Sequence, residues 1–251
     1  VAQMDAGTRG FDQLTIGRLD CPNVAQVLIE DVDYYVDVTT GNDENDGLTP
    51  ATAFKTIQRA LDVCPKVLYA NCRIHVIGSG DHEEFLYIRS FNGHGNLELY
   101  FPGNLTLQGA VLIEDCYTRI KIYDAIINYR DVPDIPESQR ATLWILNSQM
   151  VEIYRMKAFG TTQIPYVIQA SNSYVHLEES EVWDAQTACI IAQRGTRFDV
   201  VNVKGGNAPY GLWASRAAII GGHGDGLPAP KGTTSNTRST GGGIVWNGFD
   251  Y

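Results

Sequence analysis

Positive charge is scarce in this chain. Nineteen Lys and Arg stand against 29 Asp and Glu over 251 residues, a net charge of −10. Nucleic-acid affinity comes from clustered cations that release counterions, and no such cluster occurs, so DNA and RNA are excluded as partners. The same acidity removes long-range attraction to an anionic membrane. Apolar runs all fall well short of the ~18 residues a spanning helix needs, which excludes membrane insertion by a helix. Val1 to Gly10 lack the basic-then-apolar layout of a secretion signal. No G-x-S-x-G elbow, phosphate loop or H-x-x-x-H spacing occurs. Neutral sugars, or acidic ones met by local Arg and Lys, stay open as ligands.

Cysteine is also sparse. Cys21, Cys64, Cys72, Cys116 and Cys189 are odd in number and contain no C-x-x-C pair. They read as buried free thiols rather than a disulfide framework or a zinc site, which favours folding in a reducing cytosol.

What the chain has in quantity is short β-branched runs punctuated by Gly, Asn, Asp and Ser. Residues 1–32 are weakly patterned and read as an N-terminal extension or linker. Residues 33–72 hold an opening strand, Tyr34 to Val38, and a capping helix. Phe54, Ile57, Ala60, Leu61 and Cys64 in that helix are helically spaced, with Thr52 as N-cap and Pro65 as stop. Between strand and helix, GNDENDG (41–47) fails the calcium-loop spacing and reads as a turn built on Asn and Asp side chains. Residues 73–251 are the body. It contains a Pro-bearing loop at 129–140 and a Gly/Ser/Thr-rich C-terminal loop, GTTSNTRSTGGG, followed by Ile244-Val245-Trp246 as one more strand.

The body repeats. Ile120-Lys121-Ile122, Val151-Glu152-Ile153, Val175-His176-Leu177 and Phe198-Asp199-Val200 place an outward residue between two apolar ones, with centres 31, 24 and 23 positions apart. A second register ends on Leu146, Ala170, Ala192 and Ala214, spaced 24, 22 and 22. Strands this short bury a face only by stacking copy on copy at ~4.8 Å. Two registers sharing one period predict an all-β, right-handed, single-stranded parallel β-helix. A β-sandwich is the alternative, but its strands would alternate over longer stretches.

The segment YYVDVTTGNDENDGLTPATAFKTIQRAL (34–61) resembles the opening of the pectate-lyase-like β-helix superfamily. That opening is common in bacteriophage tailspikes, tail fibres and baseplate appendages, and it also occurs in secreted polysaccharide lyases. The resemblance implies a virion protein folded in the host cytoplasm, homotrimeric and attached to other tail or baseplate proteins, that recognises a host cell-surface polysaccharide. The alternative it leaves is a secreted depolymerase, a lyase or glycoside hydrolase. The opening carries no catalytic residue, and the fold hosts enzymes and adhesins alike.

Two outward rows carry the candidate chemistry. Lys121, Glu152, His176 and Asp199 lie on consecutive rungs. A histidine between two carboxylates suits acid/base work, and Glu152 with Asp199 suits glycoside cleavage. The plainer reading is a ladder of alternating charge that keeps a flat sheet soluble. The second row, Ile145, Gln169, Ile191 and Trp213, is largely apolar and reads as a subunit interface, or as a sugar-stacking platform at Trp213. Arg155 and Lys121 are the cations placed to meet an acidic sugar. Glu178, Glu179, Glu181 and Asp184 read as solvated turns. No cofactor or resident metal is expected, and calcium stays open only as a substitute for a cation in lyase chemistry.

Overall fold

A computed structural model describes residues 27–130, 140–223 and 230–247. The short runs become strands, and every pairing between the described strands of the coil is parallel. They form sheets of nine, seven and six strands, with a small three-stranded one at the N-terminal end. The chain winds through them as a parallel β-solenoid of about seven turns. One coil runs from Val111–Glu114 in the seven-stranded sheet to Arg119–Tyr123 in the nine-stranded sheet and Ile126–Tyr129 in the six-stranded sheet. The next coil begins at Ala141–Leu146. The expected loop at 129–140 falls largely on residues outside those described.

Alternate residues fill the interior. Ile120, Val151, Val175 and Phe198 form one buried column, and Ile122, Ile153, Leu177 and Val200 the next. In the coil holding Phe198, the seven-stranded sheet points Ile190 and Ala192 inward and the six-stranded sheet presents Gly205. A Cβ on Gly205 would meet the Val182 carbonyl oxygen at 1.9 Å, so this close rung contact requires glycine. Corners turn on residues with positive φ: Asp124, Arg155, Glu179 and Asn202 between the nine- and six-stranded sheets, and Asp115, Asn147, Asn172, Arg194 with Gly195, and Arg216 with Ala217 between the seven- and nine-stranded ones.

Four sequence expectations change. The α-helix spans only Ile57–Val63, and its N-cap is Thr56 rather than Thr52. Phe54 is held extended by a bridge to Val36, so the helix cannot begin earlier. Cys64 and Cys72 are joined as a disulfide with their Cα atoms 6.9 Å apart, tying the helix end to the strand Cys72–Ile77. Sequence spacing cannot reveal this pair, because the strand returns beneath the helix. Cys116 and Cys189 are free and buried, and Cys21 lies outside the described residues. Gly232–Thr240, expected as a loop, is a strand paired to Ala208–Ser215. Its Thr and Ser suit a pleated strand, and the preceding rung satisfies its backbone. Finally, Val27–Leu28, within the expected extension, pairs with Val67–Leu68.

The helix closes the N-terminal end of the coil by burying Ile57, Ala60 and Leu61. Its free backbone donors are met from another rung. Glu84 accepts from the Ile57 and Gln58 amides at 3.0 and 2.7 Å, while Asp43 accepts from the Lys55 and Thr56 amides at 2.8 Å each. Asp43, Asn42 and Asp46 all serve the GNDENDG turn in this way. Glu84→Ala therefore leaves two amide donors unmet, and urea unfolding should show a loss of about 2 kcal/mol. His82→Gln, which removes only the 2.9 Å histidine contact to Glu84, should cost far less. Equal losses in the two variants would show that the cap is not what Glu84 supplies.

Candidate functional site

The register of the nine-stranded sheet lines up the residues the repeat predicted. Its outward row reads Asp33, Arg73, Glu98, Lys121, Glu152, His176, Asp199, Gly221 and Trp246. Charge alternates from rung to rung, and contacts run along the row: Arg73 to Asp33 at 3.7 Å and to Glu98 at 3.6 Å, Lys121 to Glu98 at 2.9 Å, and His176 to Asp199 at 2.9 Å. Burial by itself would push the Glu98 pKa up, but the Tyr100 hydroxyl, Lys121 and Arg73 outweigh it and hold the carboxyl below its ordinary range.

Two residues along each strand runs a column that the sequence reading missed. Tyr35, His75, Tyr100, Tyr123 and Tyr154 stack ring on ring, with centroids 5.2, 5.3, 4.8 and 5.1 Å apart. The rings cover one another's faces, so the column is not a sugar platform. Tyr100 and Tyr154 donate to Glu98 and Glu152. Burial, then the Glu152 charge, pushes the Tyr154 hydroxyl up to about 12.

Glu152, His176 and Asp199 thus stand on adjacent rungs, each already engaged. His176 directs Nδ1 to Asp199 at 2.9 Å and Nε2 to Glu178 at 3.2 Å. With a carboxylate at each nitrogen, the arrangement favours the protonated ring, which can donate to both. Partial burial would lower its pKa, but the two carboxylate hydrogen bonds more than offset this and raise it. Glu152 meets Arg119 at 3.4 Å and the Tyr154 hydroxyl. The three ligand candidates do not converge. Lys121 lies in the charge ladder, Arg155 is clamped on Asp124 at 2.7 and 2.9 Å at a corner, and Trp213 lies on the seven-stranded sheet. At the C-terminal end Gly221 interrupts the ladder. There Asp199, Arg197, Ile219 and Trp246 line a hollow of about 420 Å³.

The outward row of the seven-stranded sheet is Tyr87, Leu112, Trp144, Gln169, Ile191, Trp213 and Arg238. Ile145 is not in it: it points inward and is fully buried, and Trp144 occupies its place. The error arises because the first interval is 25 residues, Ile145 to Ala170, where the sequence reading had aligned Leu146. Ile191 is also fully covered within the single chain, so the row is not the exposed apolar stripe expected of a subunit interface. Trp213 donates to Thr240 at 2.9 Å and carries the Arg238 guanidinium 4.2 Å from its ring centroid, which engages one face of the indole.

Beside it lies an open hollow of about 510 Å³ lined by Trp144, Leu146, Tyr166, Gln169, Ser171, Gln193, Arg194 and Arg216. Two polar atoms here are buried without a partner, the Trp144 Nε1 donor and the Gln169 Oε1 acceptor, and Gln169 is only 8% exposed. Burial raises the Tyr166 pKa, partly offset by Arg238 and Arg216. Sequence reasoning named Gln169 but took it for part of an interface. It missed Trp144 and Arg216, although one signal was present: arginine at two corner positions whose earlier counterparts are Asp115, Asn147 and Asn172. Among the described residues, no group of three or more His, Cys, Asp or Glu side chains is placed to hold a metal ion.

No family model and no curated protein sequence matches the chain. Among solved structures it is similar to a rhamnogalacturonan lyase, with a TM-score of 0.44 and 11% identity over 86% of this chain and 65% of that one. The chain thus spans just under two thirds of that protein's length.

The doubly bonded His176 sets a pH dependence. Its pKa is raised above 6.5 in the folded state, so its stabilisation is complete below 6.5 and disappears as pH rises through the higher folded value. His176→Gln should lower Tm by about 2–4 °C at pH ~6, with the gap narrowing as pH rises through the folded value. Calorimetry of both proteins across that range checks this, and a gap independent of pH would mean the ring is not held charged.

Proposed function

We propose that this chain is a glycan-recognising β-helix that binds its polysaccharide without cutting it, in the setting of a phage tail appendage. One observation carries the reading: the buried, unpartnered Trp144 Nε1 and Gln169 Oε1 belong to residues that line, with Tyr166, one open hollow. A buried polar group without a partner costs about 1–3 kcal/mol. A ligand that presents donors and acceptors together offsets both costs at once, and a sugar ring with its hydroxyls does this. Trp144 and Tyr166 supply ring surface for its C–H faces. The opening segment 34–61 supports the tail-appendage setting. The homotrimer, the attachment to other tail or baseplate proteins and the virion location belong to that same proposal.

A depolymerase is the second reading. What favours it is Asp199, which lines the hollow beside Trp246 at the end of the charge ladder. Against it stands the full engagement of Glu152 and His176 by neighbouring side chains.

The test is binding to a panel of bacterial surface polysaccharides, with cleavage followed in parallel by reducing ends and by absorbance of unsaturated products. Gln169→Leu and Trp144→Phe should each weaken binding at least tenfold, about 1.4 kcal/mol. Gln169→Leu should leave Tm equal or higher, because it removes an unmet acceptor. Unchanged affinity in both variants rules out this hollow as the binding site. Cleavage that disappears in Asp199→Ala establishes the second reading instead.

A further inference from the structure

We infer that the ligand of the Trp144–Gln169 hollow is anionic, a sugar residue bearing a carboxylate or a phosphate, and that Arg194 and Arg216 are the residues that select it. This rests on the glycan-recognition reading and adds the chemical class that reading leaves open.

Three observations converge. First, most other cations among the described residues are engaged, some by carboxylates and others, such as Lys55, Lys66, Arg89, Arg197 and Arg238, by backbone carbonyls or aromatic rings. Arg73 meets Asp31, Lys121 meets Glu98, Arg155 meets Asp124, Lys157 and Lys204 share Glu181, and Arg130 meets Glu83. Arg194 and Arg216 line the hollow, and neither guanidinium is held in an ion pair among the described residues. In a chain with 29 acidic residues against 19 basic ones, two neighbouring arginines left without a carboxylate point to an acid from outside.

Second, both arginines occupy corner positions with φ of 52° and 53°, a conformation that side chains other than Asn, Asp and Gly adopt at a cost. The three preceding rungs use Asp115, Asn147 and Asn172 there. Those side chains also bond to one another along the coil, Asn147 to Asp115 and Asn172 to Asn147 at 3.2 Å each. Local physics favours one more asparagine at positions 194 and 216. Arginine there forgoes both the conformational preference and the amide column, so the gain lies in what the guanidinium reaches.

Third, the rung spacing sets the backbones of the two arginine corners ~4.8 Å apart, so two like charges leave from neighbouring positions. Their repulsion is relieved by one anionic group bridging both, and the guanidinium fork matches carboxylate and phosphate oxygens. The buried Trp144 donor and Gln169 acceptor then take the hydroxyls of the same sugar.

Protein labelled with ¹⁵N-tryptophan gives four indole signals, one for each of its four tryptophans, and Trp144→Phe assigns the relevant one. Oligosaccharides are titrated in three arms: neutral, glucuronate-bearing and phosphate-bearing. The Trp144 signal should move with one or both anionic arms, and the arm that moves it identifies the source of the charge. Added salt should weaken the effect. Arg194→Asn and Arg216→Asn should each reduce affinity at least tenfold while leaving Tm equal or higher, since asparagine suits both corners. Arg89→Gln, on an earlier rung, should change nothing. If neutral oligosaccharides move the signal as strongly and the asparagine variants bind like wild type, the anion assignment is overturned and glycan recognition stands. If no oligosaccharide moves it, both fall.

Discussion

Parallel stacking at a fixed rung spacing is the constraint from which the rest follows. In a coil of this kind each side chain sits above its counterpart in the previous turn, about 4.8 Å away. A side chain cannot choose its neighbour independently, because the neighbour occupies the same position one turn earlier. Every surface position therefore belongs to a column, and each column must find an arrangement that its own repetition tolerates. Apolar residues do so inside, where Ile120, Val151, Val175 and Phe198 stack without strain. Like charges cannot, so the outer row from Asp33 to Asp199 alternates sign. Flat rings can, and five of them form the continuous stack from Tyr35 to Tyr154. Amides can as well: along a corner Asn172 donates to Asn147, which donates in turn to the Asp115 carboxylate.

The same constraint explains how much of the molecule was legible in the sequence. The row of Lys121, Glu152, His176 and Asp199 could be read because each charged residue stands between two apolar ones, which fixes its direction whatever the loop lengths. The row through Trp144 could not, because Leu143-Trp144-Ile145-Leu146 is apolar throughout and alternation gives no direction. A shift of one residue then exchanged Ile145 with Trp144 and hid the indole that lines the hollow. The aromatic column carried its own signal, since tyrosine follows two places after Glu98, Lys121 and Glu152. Only the column register shows that these tyrosines touch. The Cys64–Cys72 pair and the strand Gly232–Thr240 depend on where a neighbouring rung lies, which composition does not encode.

Seen as columns, the two broad faces differ in kind. On the nine-stranded sheet the ladder is met largely within the chain: Glu98 and Glu152 have cations, Tyr100 and Tyr154 donate to carboxylates, and His176 has a carboxylate at each nitrogen. Such a face is stable because it is saturated, and saturation works against catalysis. For His176 to accept a proton it must first lose one, and with it a hydrogen bond to Asp199 or Glu178. Its raised pKa reflects the cost of that loss. The residues whose types best suited acid/base chemistry are therefore those the fold has committed to holding its rungs together.

The seven-stranded sheet departs from its columns at one place. Its outward row neither alternates charge nor stacks rings, a buried Ile191 sits where solvent would be expected, and a donor and an acceptor are buried without partners beside it. On the next two rungs the corner column exchanges asparagine for arginine. Each departure is unfavourable within the folded chain, and all of them border a single hollow. Independent departures would scatter along the coil. Their coincidence at one hollow, next to columns that remain regular, is what the glycan-recognition proposal rests on.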